Sequence, residues 1–109
     1  MRSWFAKAIQ LNPYLPYAQA GFGMCLDWLG RPQEAELRFK LAVKLDPNGA
    51  RTLAYLGWHY FQVKDYENAK KWLQFSLHLS QDEKINPMAS PYLKYVEEKL
   101  NEAGGTAPP

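Results

Sequence analysis

The amino-acid sequence predicts an all-α fold in which antiparallel helix pairs stack on one another. Three observations predict this fold class. Residues of similar size recur at an offset of 34 positions, apolar residues follow the three- and four-residue spacing of helices, and glycine or proline punctuates the segments. We expect no β-strand. With 109 residues, 47% hydrophobic and 22% charged, the chain has the composition of one compact domain.

The repeat is visible in several kinds of residue at once. Pro13 and Pro47 are separated by 34 positions, and so are Gly23 and Gly57. Further pairs with the same offset are Phe22 with Leu56, Leu26 with Tyr60, Ala35 with Ala69, Phe39 with Leu73, and Ala42 with Ser76. A unit of this length cannot bury its apolar face alone, so the repeat predicts units that stack on their neighbours.

Six helices follow in order, near residues 3–11, 16–29, 33–45, 50–63, 66–80 and 91–102. Gly30 and Pro32 end one helix and begin the next, and Asp65 is placed to cap the helix that starts near Tyr66. Residues 46–49 have the composition of the turn between two repeats. Small residues on paired helices, such as Gly57 and Ala69, predict a close approach of the two backbones.

The last helix departs from this spacing. An apolar helix is due near residue 84, whereas the best start is Ser90, a good N-cap followed by Pro91, so we expect about six inserted residues. The apolar stripe of this helix is Leu93, Val96 and Leu100, flanked by Lys94, Glu97, Glu98, Lys99 and Glu102. One apolar and one charged side predict a capping helix, and residues 104–109 predict a disordered tail.

The motif residues resemble the tetratricopeptide-repeat (TPR) family over about residues 3–80. One repeat carries Leu53, Leu56, Gly57, Tyr60, Ala69 and Leu73, and the other carries Phe22, Gly23, Leu26, Ala35, Phe39, Ala42 and Pro47. Gln19 and Gln81 depart from the family pattern, which has tryptophan and proline there. The resemblance implies a right-handed superhelical stack, a TPR-like α-solenoid.

The resemblance also divides the chain. A TPR domain over residues 1–103 comprises the second helix of a truncated repeat (3–13), two repeats (14–47 and 48–81) and the capping helix (90–103), followed by the tail. Because the first repeat is incomplete, we expect the chain to be the C-terminal part of a longer protein. Localisation and biological process would then depend on the remainder.

Members of this family bind peptides in a concave groove lined by the first helix of each repeat, which implies a protein-binding scaffold here. Helical spacing assigns to the groove Tyr17, Met24, Asp27, Trp28, Arg51, Trp58, Phe61 and Gln62. Trp58 is compatible with either facing a ligand or being covered by a neighbouring helix. The family's clamp for chaperone C-termini uses Lys, Arg and Asn, where this chain has Ala20, Met24, Ala54 and Trp58. An aromatic or apolar peptide is therefore the expected ligand.

Other chemistries receive little support from the sequence. Cys25 and His59 are equivalent positions one repeat apart, about 8–10 Å, which is too far for a catalytic pair. No His, Cys, Asp or Glu spacing predicts a metal site, and no motif predicts a cofactor or an enzyme. No apolar run approaches the roughly 18 residues of a membrane span, so we expect no membrane contact by this part.

Two alternatives to peptide capture stay open. The exposed first helix would also suit self-association, for example as a homodimer. An RNA-binding helical repeat is a remote alternative, because the net charge of +2 is spread without a basic run. We therefore expect a protein or peptide partner and no nucleic acid.

Overall fold

The computed structural model describes residues 15–103, which form five helices. They are α1 (Pro16–Trp28), α2 (Pro32–Leu45), α3 (Ala50–Gln62), α4 (Tyr66–Leu79) and α5 (Ala89–Ala103). Every regular element in this range is helical, and the bounds agree with the predicted ones to within two residues. The predicted helix near residues 3–11 and the predicted tail at 104–109 lie outside the described residues.

Successive helices form two antiparallel pairs, α1 with α2 and α3 with α4, and a glycine lets each pair approach closely. A Cβ atom on Gly57 would lie 2.7 Å from Cγ of Leu73, and one on Gly23 would lie 2.8 Å from the ring of Phe39. Leu73 and Phe39 are both fully buried in the core. The small residues of the repeat therefore allow the close approach of paired helices that their spacing predicts.

The turns inside the two pairs are alike, because each closes the preceding helix with a residue in the left-handed region. Gly30 has a φ of 75° and Lys64, 34 positions later, has a φ of 65°. In both turns the next amide reaches back over the helix end. The amide of Arg31 donates to the carbonyl of Leu26, and that of Asp65 donates to Tyr60, each at 2.9 Å.

The helix starts follow from local chemistry. Proline occupies the first turn of α1 and of α2, where its missing N–H leaves no intrahelical bond unmade. The side chain of Asp65 accepts a hydrogen bond from the amide of Asn68 at 3.4 Å, which confirms the predicted cap of α4.

The pairs stack so that α1, α3 and α5 lie side by side, with α2 and α4 behind them. The contacts of Arg51 show how the neighbouring units of this row meet. The guanidinium of Arg51 lies 5.7 Å from the ring centre of Tyr17, and its Nε donates to the carbonyl of Ile85 at 3.2 Å. Arg51 therefore contacts both of its neighbours in the row, α1 through Tyr17 and the connection before α5 through Ile85.

The predicted delay of the last helix is present, because the helix due near residue 84 begins at Ala89, five residues later. The connection between α4 and α5 occupies the place of the first helical turn, and it is irregular because Pro87 disfavours a helical conformation at Asn86. Asn86 is buried, and its Nδ2 donates to Oγ of Ser76 at 2.9 Å and to the carbonyl of Ser80 at 3.0 Å. The prediction that Ser90 is the N-cap of this helix is wrong, because α5 already begins at Ala89.

The last helix, α5, closes the described stack. Val96 and Ala89, seven residues apart on one side, are fully buried, and Leu93 and Leu100 pack against the same core. The charged residues between them point to solvent. None of the helices within residues 15–103 is long and apolar enough to cross a bilayer.

Candidate protein-interaction surface

One face of the stack consists of the side of α1, α3 and α5 that points away from α2 and α4. On α3, Gly57 faces α4, and His59 faces back toward α1 and α2. The remaining helical positions form a third face. We call this face, together with two residues of the connection before α5, the first-helix surface. It comprises Tyr17, Met24 and Trp28 of α1, Arg51, Phe61 and Gln62 of α3, Ile85 and Met88 of the connection, and Tyr92 and Tyr95 of α5.

Large apolar side chains are exposed on this surface. The exposed fraction is 58% for Trp28, 56% for Ile85, 52% for Tyr17 and 50% for Tyr95. Met24 and Phe61 are half-buried and rest on the core below. Aromatic side chains left in contact with water over several neighbouring helices form the kind of patch that marks an interaction site.

Trp58 does not belong to the exposed part of this surface. Its exposed fraction is 4%, and its ring lies 6.1 Å from that of Trp28 and 6.2 Å from that of Phe39. Ala20 and Ala54 beside it are fully buried. Trp58 is therefore covered by neighbouring side chains and does not face a ligand. It lies beneath the exposed residues of the surface.

Asp27 is also withdrawn from solvent. Its side chain is 4% exposed, and its Oδ2 accepts a hydrogen bond of 2.7 Å from Nδ1 of His59, which is itself buried. The other ring nitrogen of His59 lies 3.9 Å from Oε1 of Glu36. Asp27 thus links α1 to α3 instead of presenting a carboxylate on the first-helix surface.

The polar groups around His59 hold defined protonation states. Glu36 accepts a hydrogen bond from Lys40, which is the main reason that the pKa of its carboxyl lies below its usual value. Burial raises the pKa of Tyr60, whose hydroxyl donates to Glu36 at 3.2 Å. Glu36 is therefore ionised and Tyr60 neutral at pH 7. Among residues 15–103, no group of three His, Cys, Asp or Glu is placed to hold a metal ion.

Arg51 is the one cation among the ten residues of the first-helix surface. It is half-buried, with its guanidinium over Tyr17 and its Nε bonded to the carbonyl of Ile85. These two contacts hold the planar group in one orientation at one end of the surface. Gln62, at the other end, is exposed.

Four members of this surface were not predicted: Ile85, Met88, Tyr92 and Tyr95. The sequence reasoning assigned no residue beyond Gln62 to the groove, because it treated the last helix as a cap. The available signal was that Tyr92 and Tyr95 are aromatic but lie outside the apolar stripe of that helix. The rings of Phe61 and Tyr92 lie 5.5 Å apart, and those of Tyr92 and Tyr95 lie 5.8 Å apart. The aromatic surface therefore extends over three helices, one more than the sequence reasoning assigned.

Comparison with known proteins gives one curated relative and several solved structures. No family model matches the sequence. The chain is 34% identical over 65 residues to anaphase-promoting complex subunit 3 of Schizosaccharomyces pombe, a match that covers 60% of this chain and 10% of that protein. The chain thus spans about a tenth of the length of this relative.

The solved structures are more similar in shape than in sequence. The TPR domain of Sgt2 from Aspergillus fumigatus has a TM-score of 0.81 at 21% identity, covering 99% of this chain and 72% of that one. The first TPR domain of human RPAP3 has a TM-score of 0.79 at 22% identity, covering 97% and 81%. The first TPR of Spaghetti (RPAP3), bound to the HSP90 peptide SRMEEVD, has a TM-score of 0.74 at 23% identity, covering 91% and 76%. The chain has the tetratricopeptide-repeat fold.

Proposed function

We propose that this chain is a protein-interaction module, part of a larger protein, that binds a segment of another protein on the first-helix surface. The observation that carries the proposal is the exposure of large apolar side chains on both sides of α3, namely Tyr17 and Trp28 on α1, Tyr95 on α5, and Ile85 in the connection before α5. Rigid aromatic side chains at the centre of an interface contribute most to binding energy, because they bury a large area at a small entropic cost.

The chemistry of the surface favours an apolar or aromatic segment as the ligand. One structural neighbour, the first TPR of Spaghetti (RPAP3), is bound to the HSP90 peptide SRMEEVD. The clamp that TPR domains use for chaperone C-termini consists of several cationic and amide side chains. This chain has Ala20, Met24, Ala54 and Trp58 at the corresponding positions. Burial of aromatic area would therefore supply most of the affinity.

Binding selections with a displayed random-peptide library test the proposal. We expect wild-type protein to enrich peptides, and the Tyr95→Ala variant to bind the enriched peptides at least about ten-fold more weakly. Phe75→Ala is the matched control, because Phe75 lies on α4 behind the surface and is 47% exposed, close to the 50% of Tyr95. Trp58 is not suitable for this test, since truncating a buried tryptophan costs about 3–5 kcal/mol of stability.

Equal binding by wild type and Tyr95→Ala, or equal loss in both variants, would remove the first-helix surface from the interaction. Sedimentation velocity over a range of protein concentrations tests whether the chain self-associates. We expect a concentration-independent monomer. A dimer that dissociates on Tyr95→Ala substitution would assign the same surface to a second copy of the chain instead.

A further inference from the structure

Resting on the proposed function, we infer that the bound segment carries an internal aspartate or glutamate that pairs with Arg51, with apolar residues on both sides. The ligand would thus be an apolar segment with one acidic side chain at a fixed position. The inference concerns the ligand's chemistry and follows from the setting of Arg51 on the first-helix surface.

The guanidinium of Arg51 is held in place before any ligand arrives. The Tyr17 ring lies 5.7 Å below it, and Nε is bonded to the carbonyl of Ile85. Among residues 15–103, Nε is the nitrogen of Arg51 that forms a hydrogen bond, and no described acceptor is bonded to its two terminal nitrogens. A planar pair of N–H groups fits the two oxygens of a carboxylate, and a fixed orientation reduces the entropy lost on binding.

The charge of Arg51 is not balanced within the described structure. Within residues 15–103, no carboxylate forms a salt bridge with it. Asp27, the carboxylate that the sequence assigned to the same surface, is bonded to His59. An acidic ligand group would therefore meet a cation that no described acid already neutralises.

The position of Arg51 in its helix adds to this preference. It is the second residue of α3, whose first turn contains no acidic side chain; the nearby carboxylate of Asp46 accepts a hydrogen bond from Thr52 at 3.2 Å. The N-terminus of a helix carries the positive end of the helix dipole, so a cation there is slightly unfavourable and a nearby anion is favourable. A carboxylate bound at Arg51 would interact well with both.

The arrangement favours a side-chain carboxylate over a C-terminal one. Arg51 lies on the middle helix of three, between Tyr17 of α1 and Ile85 of the connection that precedes α5. At about 8–10 Å between neighbouring helices, the whole surface is about 16–20 Å wide, the length of five or six extended residues at about 3.3 Å each. A terminal carboxylate would end the peptide at the middle helix and leave half of the apolar surface uncovered.

The test is a double-substitution measurement on a peptide enriched by the wild-type protein from a random library. We expect the enriched sequences to share one acidic residue with apolar residues two or three positions to each side. Replacing that acid by its amide, Glu→Gln or Asp→Asn, should weaken binding to wild type about ten-fold or more and leave binding to the Arg51→Met variant almost unchanged. Arg51→Lys should recover part of the discrimination, since charge remains but the planar geometry is lost.

The outcomes separate this inference from the proposed function. Peptides that need Tyr95 but show no acid preference, or a Glu→Gln loss that persists in Arg51→Met, would overturn the inference and leave the function standing. The same holds if amidating the peptide C-terminus abolishes binding, since the carboxylate would then be terminal. No enrichment at all would overturn both. Circular dichroism of the Arg51 variants checks that they remain folded.

Discussion

Gly57 is the residue on which the packing of α3 against α4 depends most directly. An alanine there would place its Cβ 2.7 Å from Cγ and 2.8 Å from Cδ2 of Leu73, whose backbone nitrogen is 3.3 Å away. Leu73 is fully buried and has little room to move. Although alanine is a better helix former by about 1 kcal/mol, overpacking of this kind costs about 1–3 kcal/mol.

We therefore expect Gly57→Ala to lower the free energy of unfolding, measured by urea denaturation monitored by circular dichroism. Gln62→Ala, an exposed substitution in the same helix, is the control and should change stability by less than about 0.5 kcal/mol. A Gly57→Ala protein as stable as wild type would show that the two helices do not approach as closely as described.

Lys64 offers a substitution with the opposite sign. Its φ of 65° lies in the left-handed region, which costs residues other than glycine about 1–2 kcal/mol. Gly30 occupies the same place in the equivalent turn. We expect Lys64→Gly to raise the thermal midpoint and to increase the free energy of unfolding by about 1 kcal/mol. Gly30→Ala should lower the free energy of unfolding by a similar amount. No atom lies within 4 Å of a Cβ at Gly30, so this loss would come from the backbone conformation alone. Calorimetric shifts of the same sign for both variants would contradict this interpretation.

Helical spacing predicted which side chains share a face, but not how deeply each one lies. Tyr17, Trp28 and Arg51 were assigned to the binding face and are accessible there. Trp58 has the same angular position and is buried, because Trp28 on another helix lies against it. Asp27 is withdrawn by its bond to His59, an inter-repeat contact. Both differences arise from neighbours distant in sequence, which periodicity within one helix does not record.

At the scale of elements, the connection between α4 and α5 positions the third helix of the surface. Asn86 ties this irregular segment to the end of α4 through Ser76 and Ser80. Ser76 in turn donates to the carbonyl of Ala50 at 2.6 Å, at the start of α3. Through these bonds the connection keeps Ile85 beside Arg51 without a helical turn.

We expect Asn86→Ala to destabilise the protein by about 1–3 kcal/mol, because it leaves buried polar groups without a partner. Amide hydrogen exchange should show the largest loss of protection in α5 and the smallest in α1. The surface substitution Glu83→Ala, in the same connection, should leave α5 protected, because Glu83 is exposed. Uniform loss over all helices in Asn86→Ala would mean that Asn86 has no special role in holding α5.

The helices themselves were well predicted, since five lie within two residues of their expected bounds. The extension of the surface onto α5 was not predicted, because the apolar stripe shows which side of a helix is buried and not which of its other side chains lie beside α3. The stripe also does not show that Asn86 holds the irregular connection against α4. Ile85 and Tyr92 were recognised from the structure, through their contacts with Arg51 and Phe61.

At the scale of the whole molecule, the repeat places α1, α3 and α5 in one row and α2 and α4 in another. α1 contributes the exposed Tyr17 and Trp28, α5 contributes the exposed Tyr95, and α3 between them contributes the half-buried Phe61 and the cation Arg51. No single helix would present enough area for a specific contact, whereas the three together present aromatic side chains around one cation. The proposed function is thus a property of the stack.

The central claim, that a partner binds across the first-helix surface, is tested most directly by an NMR titration of isotope-labelled protein with a library-enriched peptide. The tryptophan side chains report on both rows, because Trp28 lies on α1 and Trp72 on α4. We expect the indole signal of Trp28 and the amides around Tyr95 to shift on binding, while the indole of Trp72 stays unchanged. Shifts confined to Trp72 and the amides of α2 and α4 would contradict the account.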